Sequence, residues 1–309
     1  MASALSLIKS HHRATYPAIS PTKPSLRQAG KTVLITGGGG GLGFNIARSF
    51  AKASASRIII VGRRGGFLDE AVMKLRGEFK VGTEFMARQT DIGDDASVTA
   101  LWDFLQSQKI VVHVLVLNAA QITPSGTDTL SMNKEELMTA FGVNVGGNFY
   151  MSAKFVQQPL RHARQQLNLI NISTSGIHMD DTPFYNPYAS SKAAFAALIG
   201  RIANERSVED VQIISFHPGI LYSEGVSKTY DPDAFKWDEM NLPADFSVWA
   251  ASPEASWLHG RFVWAHWDVD ELKANPDVLK RLEDEESFLK VSVQGLTSPS
   301  YTLFQDKCR

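Results

Sequence analysis

The side chains of Tyr188 and Lys192 have the types and the spacing needed for proton transfer. The segment 186–192 (NPYASSK) is predicted to begin a helix, because Asn186 can cap free N–H groups and Pro187 suits a first helical turn. Tyr188 and Lys192 then share one helix face. Because an ammonium beside a phenol stabilises the phenolate, we expect the pKa of Tyr188 to fall from about 10 toward neutrality. Such a phenol can protonate a carbonyl oxygen as a hydride arrives, or accept the proton in the reverse reaction.

This spacing occurs a second time in the chain, so it is not specific by itself. Tyr150 and Lys154 repeat it deep within a long predicted helical stretch, remote from any strand end, and there we expect a partly buried tyrosine and an exposed lysine. Tyr188 instead opens its helix shortly after a predicted strand that ends in three hydroxyl side chains at 173–175. A hydroxyl at that position can bond a substrate carbonyl and stabilise its developing charge.

A glycine-rich turn, TGGGGGLG at 36–43, follows the first predicted strand and opens the first predicted helix. Glycines let backbone N–H groups approach a pyrophosphate that a Cβ atom would push away, and the helix N-terminus adds partial positive charge. Phe44 stands where a P-loop requires lysine, so a P-loop is excluded. Two glycine registers fit dinucleotide binding, namely Gly38, Gly40 and Gly43 or Gly37, Gly41 and Gly43.

The end of the second predicted strand indicates which dinucleotide would bind. An NAD-binding site usually has an acid there, about 20 residues after the glycines, for the ribose 2′-hydroxyl. The chain reads Val-Gly-Arg-Arg at 61–64, with no carboxylate. Two guanidinium groups can pair with a 2′-phosphate through charge-assisted hydrogen bonds. We therefore predict NADP(H), bound chiefly by Arg63; the alternative is a solvated strand end.

From about residue 31 onward, short apolar runs alternate with longer helical stretches. This pattern predicts an α/β fold with a doubly wound parallel sheet and helices on both faces. The near-continuous Val/Ile/Leu runs are typical of strands covered on both sides. Strands are predicted at 32–36, 57–61, 83–89, 111–117, 167–172 and 211–216, with a possible seventh at 261–264. Helical stretches are predicted at 42–53, 67–79, 95–108, 133–158 and 187–206.

Composition excludes several classes of protein. The 309 residues are 44% hydrophobic with a formal net charge of -1, which supports a packed core and gives no electrostatic footprint for nucleic acid or an anionic membrane surface. No apolar run reaches the roughly 20 residues that a membrane span needs. A single cysteine, Cys308, permits no internal disulfide, which fits a reducing, cytoplasmic compartment. No histidines are spaced for a metal site, so none is expected.

The chain is expected to form one domain, over 31–309, preceded by a flexible arm over 1–30. Pro17, Pro21 and Pro24 disfavour a sustained amphipathic helix in that arm. The segment 222–245 is polar and loop-rich, with several aromatic side chains, and it is predicted to be a substrate lid. Residues 246–309 then form a C-terminal extension.

Taken together, these pieces resemble the short-chain dehydrogenase/reductase family over about residues 31–267. The motifs that carry the resemblance are TGGGGGLG at 36–43, Asp91 at a strand end, LNAA at 117–120, hydroxyls at 173–175, YASSK at 188–192 and HPG at 217–219. The resemblance implies a Rossmann-like fold and NADP(H)-dependent oxidoreductase activity. One departure concerns Ala120, since the family usually has Asn-Ala-Gly where this chain has Asn-Ala-Ala.

The resemblance also implies roles for individual residues. The catalytic set would be Tyr188, Lys192, a hydroxyl residue and Asn144, the last holding a water in a proton relay. The family's spacing of 13 residues before the tyrosine selects Ser175, whereas alignment of the strand end selects Ser173 or Thr174. Cofactor contacts would come from Gly37, Gly41, Leu42, Gly43, Arg63, Asp91, Ile92, Asn118, Tyr188, Lys192, Ile220 and Ser223.

These expectations combine into one functional prediction and one alternative. The prediction is reduction of a ketone or aldehyde by NADPH, or oxidation of a secondary alcohol, on a small apolar or polyketide-like metabolite. The polyketide-like class follows only from similarity to fungal members of the family that occur with secondary-metabolite pathways. A homodimer or homotetramer is implied, paired through 133–158 and 187–206. The alternative is a non-redox lyase, isomerase or pericyclase, or an NADP-sensing module.

Overall fold

Seven parallel strands form one sheet in the order β3-β2-β1-β4-β5-β6-β7. The computed structural model describes residues 7–122, 128–179, 185–228 and 230–293. The strands are β1 Thr32–Thr36, β2 Arg57–Gly62, β3 Glu84–Gln89, β4 Val114–Leu117, β5 Leu167–Ile172, β6 Val211–His217 and β7 Phe262–Trp264. The predicted doubly wound sheet is confirmed, including the seventh strand.

Helices cover the sheet on both faces. Because successive strand residues point to opposite faces, Val33 and Ile35 of β1 enter one core cluster while Leu34 enters the other. The first cluster includes Phe50 and Trp249, and the second is built on the opposite side. The helices are α1 Gly41–Lys52, α2 Gly65–Glu78, α3 Asp95–Ser107, α4 Lys134–Phe141, α5 Asn148–Val156, α6 Asn186–Glu205, α7 Asn241–Ala250, α8 Val269–Ala274 and α9 Pro276–Asp284.

The sheet reverses its winding direction between β1 and β4. Strand β1 pairs with β2 on one side and with β4 on the other, so their carboxyl ends open side by side. In doubly wound sheets a ligand binds in the crevice beyond these ends, at this switch point. Residues at the ends of β1, β2 and β4 are thereby brought to one edge.

The predicted helical stretch 133–158 is interrupted in its middle. Helices α4 and α5 are separated by a π-helical segment, Gly142–Gly147. Glycine disfavours regular helix, and this segment contains three. Gly147 allows a close approach to the neighbouring chain, because a Cβ there would lie 2.3 Å from the carbonyl oxygen of Ile92. The interruption therefore places the segment against the end of the β3–α3 connection.

Residues 7–30 pack against the C-terminal part of the domain, which differs from the flexible arm expected over 1–30. Ile8, Ile19 and Leu26 are buried, and the Tyr16 hydroxyl donates a hydrogen bond of 2.8 Å to the carbonyl oxygen of Trp267. The segment contains two short 3-10 turns, each beginning at a proline, where a longer helix was not expected either. Residues 1–6 lie outside the described residues. The domain boundary at 31, the lid and the C-terminal extension stay predictions.

Among the helices in the described ranges, none is both long enough and apolar enough to cross a bilayer.

The packing of the N-terminal segment predicts a measurable contribution to stability. Replacing Ile19, which is fully buried, with alanine should lower the free energy of unfolding by about 2–4 kcal/mol, since methyl groups leave the core and a cavity remains. Val81→Ala, at an exposed position, serves as the control and should change it by less than about 0.5 kcal/mol. Chemical denaturation measures both. Equal stability of the two variants would show that the segment does not stabilise the fold.

Candidate active site

The glycine-rich turn has the backbone geometry of a phosphate-binding turn. Gly37 and Gly41 have φ angles of +67° and +52°, in the left-handed region that favours glycine. A Cβ on Gly43 would lie 2.3 Å from the carbonyl oxygen of Gly37. These three positions match one of the two predicted registers. Because α1 begins at Gly41, its free N–H groups and positive dipole end meet at this turn.

A cleft of about 660 Å³ opens beside this turn. Its walls come from the ends of β1 to β4 and from the connection that follows β6. Among the predicted cofactor residues, the lining includes Gly37, Gly41, Leu42, Arg63, Asp91, Ile92, Asn118 and Ser223. Gly43 lies behind the turn. Ile220 was expected to line the cleft, but its two sequence neighbours, Gly219 and Leu221, do so instead.

Thr36 joins the ends of β1 and β4 beneath the cleft. Its hydroxyl accepts hydrogen bonds of 2.9 Å from the backbone N–H groups of Asn118 and Ala119 and donates one to the carbonyl oxygen of Val116. The Asn118 side chain donates in return to the carbonyl oxygen of Thr36, at 2.9 Å. This exchange holds Asn118 at the cleft wall. Sequence reasoning missed Thr36, whose position directly before the glycines was the available signal.

The arginines after β2 lie at the far end of the cleft. Arg63 is exposed, and the guanidinium carbon of Arg64 lies 4.2 Å from the centroid of the Phe67 ring, a cation–π contact. Phe67 also lies close to the glycine turn, since a Cβ on Gly40 would come within 2.7 Å of its ring. Phe67 is a further cleft residue that sequence reasoning missed. Asp91 accepts a hydrogen bond of 2.9 Å from the Gly93 N–H through one carboxylate oxygen.

Lys192 ties helix α6 to the end of β5. It is 2% exposed, and its ammonium donates a hydrogen bond of 2.7 Å to the carbonyl oxygen of Ile172, the last residue of the strand. Burial lowers the pKa of Lys192 to about 8. The lysine is therefore close to the balance between its charged and neutral forms at neutral to mildly basic pH.

Tyr188 lies one turn before Lys192 on the same helix and keeps part of its surface exposed. Burial of its ring raises the pKa of Tyr188 to about 12. This shift is opposite to the one predicted from the neighbouring ammonium, because the loss of hydration on burial disfavours the charged phenolate. The phenol stays protonated at neutral pH, which suits a group that gives up a proton.

The start of helix α6 also differs from the prediction. Tyr185 occupies the N-cap position without a capping side-chain hydrogen bond, and Asn186 is the first helical residue. The Asn186 amide donates a hydrogen bond of 2.7 Å to the Thr129 hydroxyl instead. Asn186 thereby links α6 to the turn that precedes α4.

The three hydroxyls after β5 have different surroundings. Ser173 is almost fully buried, and its hydroxyl has no hydrogen-bond partner among the described residues. The Thr174 hydroxyl accepts a hydrogen bond from the Gly176 N–H. Ser175 is partly exposed, and its backbone N–H donates to Nδ1 of His217 at 3.1 Å. Partial exposure makes Ser175 more accessible to a substrate than Ser173.

Asn144 connects the cleft wall to the helix that carries Tyr188. Its side chain exchanges two hydrogen bonds of 2.8 Å with the backbone of Gln121, a cleft residue, and donates to the Ser191 hydroxyl at 2.9 Å. Its own carbonyl oxygen accepts from the Asn148 amide at 3.0 Å. The relay water at Asn144 stays a prediction.

This connection matters because Tyr188 and Lys192 are not among the described residues that line the cleft. They lie on helix α6, which reaches the cleft wall through the Ser191–Asn144–Gln121 hydrogen bonds.

The second Tyr-x-x-x-Lys pair, Tyr150 and Lys154, has other contacts. The Tyr150 hydroxyl lies 2.9 Å from the Thr99 hydroxyl, and the Lys154 ammonium lies over the Tyr150 ring. The Tyr150–Thr99 contact joins α5 to α3, and the Lys154–Tyr150 contact lies within α5.

Two further residues behind the cleft were missed by sequence reasoning. His217 ends β6 and accepts from the Ser175 backbone, and Asp238 accepts a hydrogen bond of 2.8 Å from the Ile220 N–H. The HPG motif at 217–219 was recognised in the sequence, but it indicated no role for His217. Nothing in the sequence around Asp238 signalled its contact, because the contact depends on the folded path of a long connection.

Comparison with known proteins agrees with this geometry. A sequence model described as short chain dehydrogenase matches residues 31–233. The chain is 34% identical to the short chain dehydrogenase/reductase AacuD of Aspergillus aculeatus, over 92% of this chain and 95% of that protein. It is 37% identical to the short chain dehydrogenase/reductase nsrO of Aspergillus novofumigatus, over 85% of this chain and 89% of that protein.

Solved structures share the fold. The RhlG/NADP active-site complex of Pseudomonas aeruginosa superposes with a TM-score of 0.71 at 20% identity, covering 78% of this chain and 97% of the other. A 7α-hydroxysteroid dehydrogenase complexed with NADH superposes with a TM-score of 0.70 at 22% identity, covering 82% and 97%. The match to the sequence model and to the two Aspergillus proteins shows that the chain belongs to the short-chain dehydrogenase/reductase family.

Proposed function

We propose that this protein reduces the carbonyl group of a small apolar molecule with NADPH, or oxidises the corresponding secondary alcohol with NADP⁺. The observation that carries this proposal is the attachment of the Tyr188–Lys192 helix to the carboxyl end of β5, next to a cleft built around the glycine turn. A proton donor and a dinucleotide-sized cleft then share one edge of the sheet.

The residues of the cleft fit a dinucleotide. Gly37, Gly41 and Gly43 leave the space that Cβ atoms would fill, and the N-terminus of α1 favours the negative charge of a pyrophosphate. When bound, the cofactor supplies or accepts a hydride. The chain supplies the binding surface, the orientation and the proton.

Tyr188 is proposed as the group that donates a proton to the carbonyl oxygen. With a pKa of about 12 its phenol is protonated at neutral pH, ready to donate. The charged form of Lys192, on the same helix, would stabilise the phenolate that forms as the proton leaves. Ser175 would donate a hydrogen bond to the same oxygen and stabilise its negative charge. Asn144 would orient Gln121 and Ser191 around the pair and hold the relay water.

Selection of NADP(H) over NAD(H) is proposed to depend on Arg63 and Arg64. Known structures of this fold bind either NADP or NADH, so the fold does not determine which cofactor is selected. Arg64 stacks on Phe67 within the cleft lining, which limits its rotamers before a ligand binds. Arg63 stays exposed, with no carboxylate of the strand end to repel a phosphate. Both guanidiniums can therefore meet a 2′-phosphate.

We also propose the remaining partners from the sequence and its relatives. The rings of Tyr222 and Phe235 pack against the ring of Trp237, with centroids 5.1 and 5.2 Å from it, and this aromatic cluster would give the substrate an apolar cover.

A homodimer or homotetramer would pair the faces of α4, α5 and α6, where Met138 and Phe149 are exposed. We propose a cytoplasmic location and a polyketide-like substrate.

The proton-donor role predicts a large loss of activity in Tyr188→Phe. NADPH oxidation over a panel of ketones and aldehydes should fall by about 10²–10⁴-fold, because general acid catalysis is lost while the ring keeps its packing. Tyr150→Phe is a matched control from the second Tyr-x-x-x-Lys pair and should retain wild-type turnover. Equal activity of Tyr188→Phe and wild type would remove the mechanism. NADPH binding by the wild type without turnover on any carbonyl would favour a non-redox or sensing role.

The cofactor assignment predicts a selective effect of Arg63→Ala. The Kd for NADPH should rise by roughly 5–150-fold, which corresponds to about 1–3 kcal/mol for a lost charge-assisted hydrogen bond. The Kd for NADH should change little, since NADH has no 2′-phosphate. Arg88→Ala is the control, because that guanidinium stacks over Phe104 instead. Fluorescence titration measures the Kd of both cofactors for the wild type and the two variants, and an unchanged Kd for NADPH in Arg63→Ala would exclude Arg63 as a phosphate ligand.

The lowered pKa of Lys192 predicts the pH dependence of reduction. Below about pH 8 the lysine carries its proton and stabilises a developing phenolate; above it the charge is lost while Tyr188 remains protonated. The kcat/KM for carbonyl reduction should therefore fall as the pH rises through about 8. Lys154→Met should keep this profile, whereas Lys192→Met should lose both the rate and the falling limb. A wild-type profile that stays flat across this pH would contradict the role.

A further inference from the structure

The connection after β6 forms one wall of the cleft, yet it has little regular structure of its own. We call residues 218–226 the β6 loop. Gly219, Leu221 and Ser223 of this loop line the cleft. Its shape must come from contacts outside the loop, because the described part contains only a single bridge, Leu221 with Asp238, and the first residue of a short 3-10 turn.

Asp238 holds this loop through both its backbone and its side chain. Its N–H donates to the carbonyl oxygen of Ile220 at 2.8 Å, and one carboxylate oxygen accepts from the Ile220 N–H at 2.8 Å. Gly219 makes the approach possible. Its φ angle is +100°, and a Cβ there would lie 2.6 Å from the same carboxylate oxygen. A side chain at 219 would push the carboxylate away.

The Asp238 carboxylate is itself held by two basic side chains from distant parts of the chain. Nε2 of His266 lies 2.9 Å from one oxygen and shares a hydrogen bond with it, whereas Nε of Arg13 lies 3.0 Å from the other oxygen as a charge contact without hydrogen-bond geometry. The Asp238 side chain is only 1% exposed, so its charge needs such partners. Although burial alone would raise the pKa of Asp238, the hydrogen bonds from His266 and Ile220 and the Arg13 charge lower it.

Arg13 belongs to the N-terminal segment and is bound from both sides. Its guanidinium also donates to the carbonyl oxygen of Lys236, and its own carbonyl oxygen accepts from the Glu239 N–H at 2.8 Å. The segment 236–239 thus contacts the N-terminal segment on one side and the β6 loop on the other. Displacement of Arg13 would leave Asp238 as a buried carboxylate with one partner fewer.

The β6 loop faces one particular half of the cleft. Arg63 and Asp91 follow β2 and β3, which lie on one side of the switch point and would receive the adenosine half of a dinucleotide. Strands β4, β5 and β6 lie on the other side, with Lys192 at the end of β5. The loop therefore borders the half of the ligand that reacts.

We propose that Asp238, held by Arg13 and His266, is a positioning residue that fixes the β6 loop against the reactive half of the cofactor. The N-terminal segment is then part of the cofactor site, although it contributes no cleft residue. This inference rests on the proposed binding of NADP(H). It concerns a set of contacts separate from Tyr188 and Arg63, so the positioning role can fail while the proposed function stands.

Two probes separate the halves of the cleft. Adenosine 2′,5′-bisphosphate tests the adenosine half alone, and NADPH tests both. Arg13→Ala and Asp238→Asn should each raise the Kd for NADPH by roughly 10-fold, as for a lost charge-assisted contact, and leave the Kd for the bisphosphate within about twofold. Arg13→Lys should recover part of the NADPH affinity. Arg63→Ala should weaken both ligands.

Lys23→Ala is the matched control. It removes a different basic side chain of the same segment, whose ammonium lies 2.8 Å from a Glu254 carboxylate oxygen far from the loop, and it should change neither constant. Because Arg13 is partly exposed, Arg13→Ala carries the test if Asp238→Asn does not fold. Unchanged NADPH affinity in Arg13→Ala, or equal weakening of both probes, would overturn the positioning role. Wild-type protein that binds neither probe would overturn the proposed function itself, and this role with it.

Discussion

The hydrogen bond from the Lys192 ammonium to the end of β5 is the contact on which the proposed chemistry depends. A buried ammonium requires an acceptor, and the last carbonyl of a strand is one that the sheet leaves free at its edge. This requirement fixes helix α6 against the sheet and so fixes Tyr188 one turn away. The same burial that lowers the pKa of Lys192 raises that of Tyr188, which keeps a proton on the phenol.

Hydrogen bonds to backbone groups connect this pair to the rest of the cleft. Asn144 links Gln121 to Ser191, and Thr36 links the ends of β1 and β4. Such bonds are short-range and directional, so a shift in one strand end is transmitted to its neighbours. The π-helical segment between α4 and α5 places Asn144 where it can make three of these bonds, which a regular helix with the same sequence would position differently.

Local patterns were sufficient to predict the sheet, the helical stretches up to residue 206 and the glycine turn, because buried strands require continuous Val/Ile/Leu runs and a tight turn requires glycine. They did not predict α7, α8 and α9, or the interruption between α4 and α5. They failed where contacts are distant in sequence. The N-terminal segment packs on residues more than 220 positions away, as Arg13 does on Asp238, and no local pattern signals such a partner. The direction of the Tyr188 pKa shift was mispredicted for a related reason, since burial depends on the whole surrounding fold.

The distance along the chain between Arg13 and its partners has a consequence for biosynthesis. Asp238 and His266 are synthesised more than 220 residues after Arg13. At about 5–20 residues per second this separates them by on the order of 10–50 s. Until then the contacts of Arg13 with Asp238 and of Tyr16 with Trp267 cannot form. The cleft wall described above is therefore completed only after residue 267 has been synthesised.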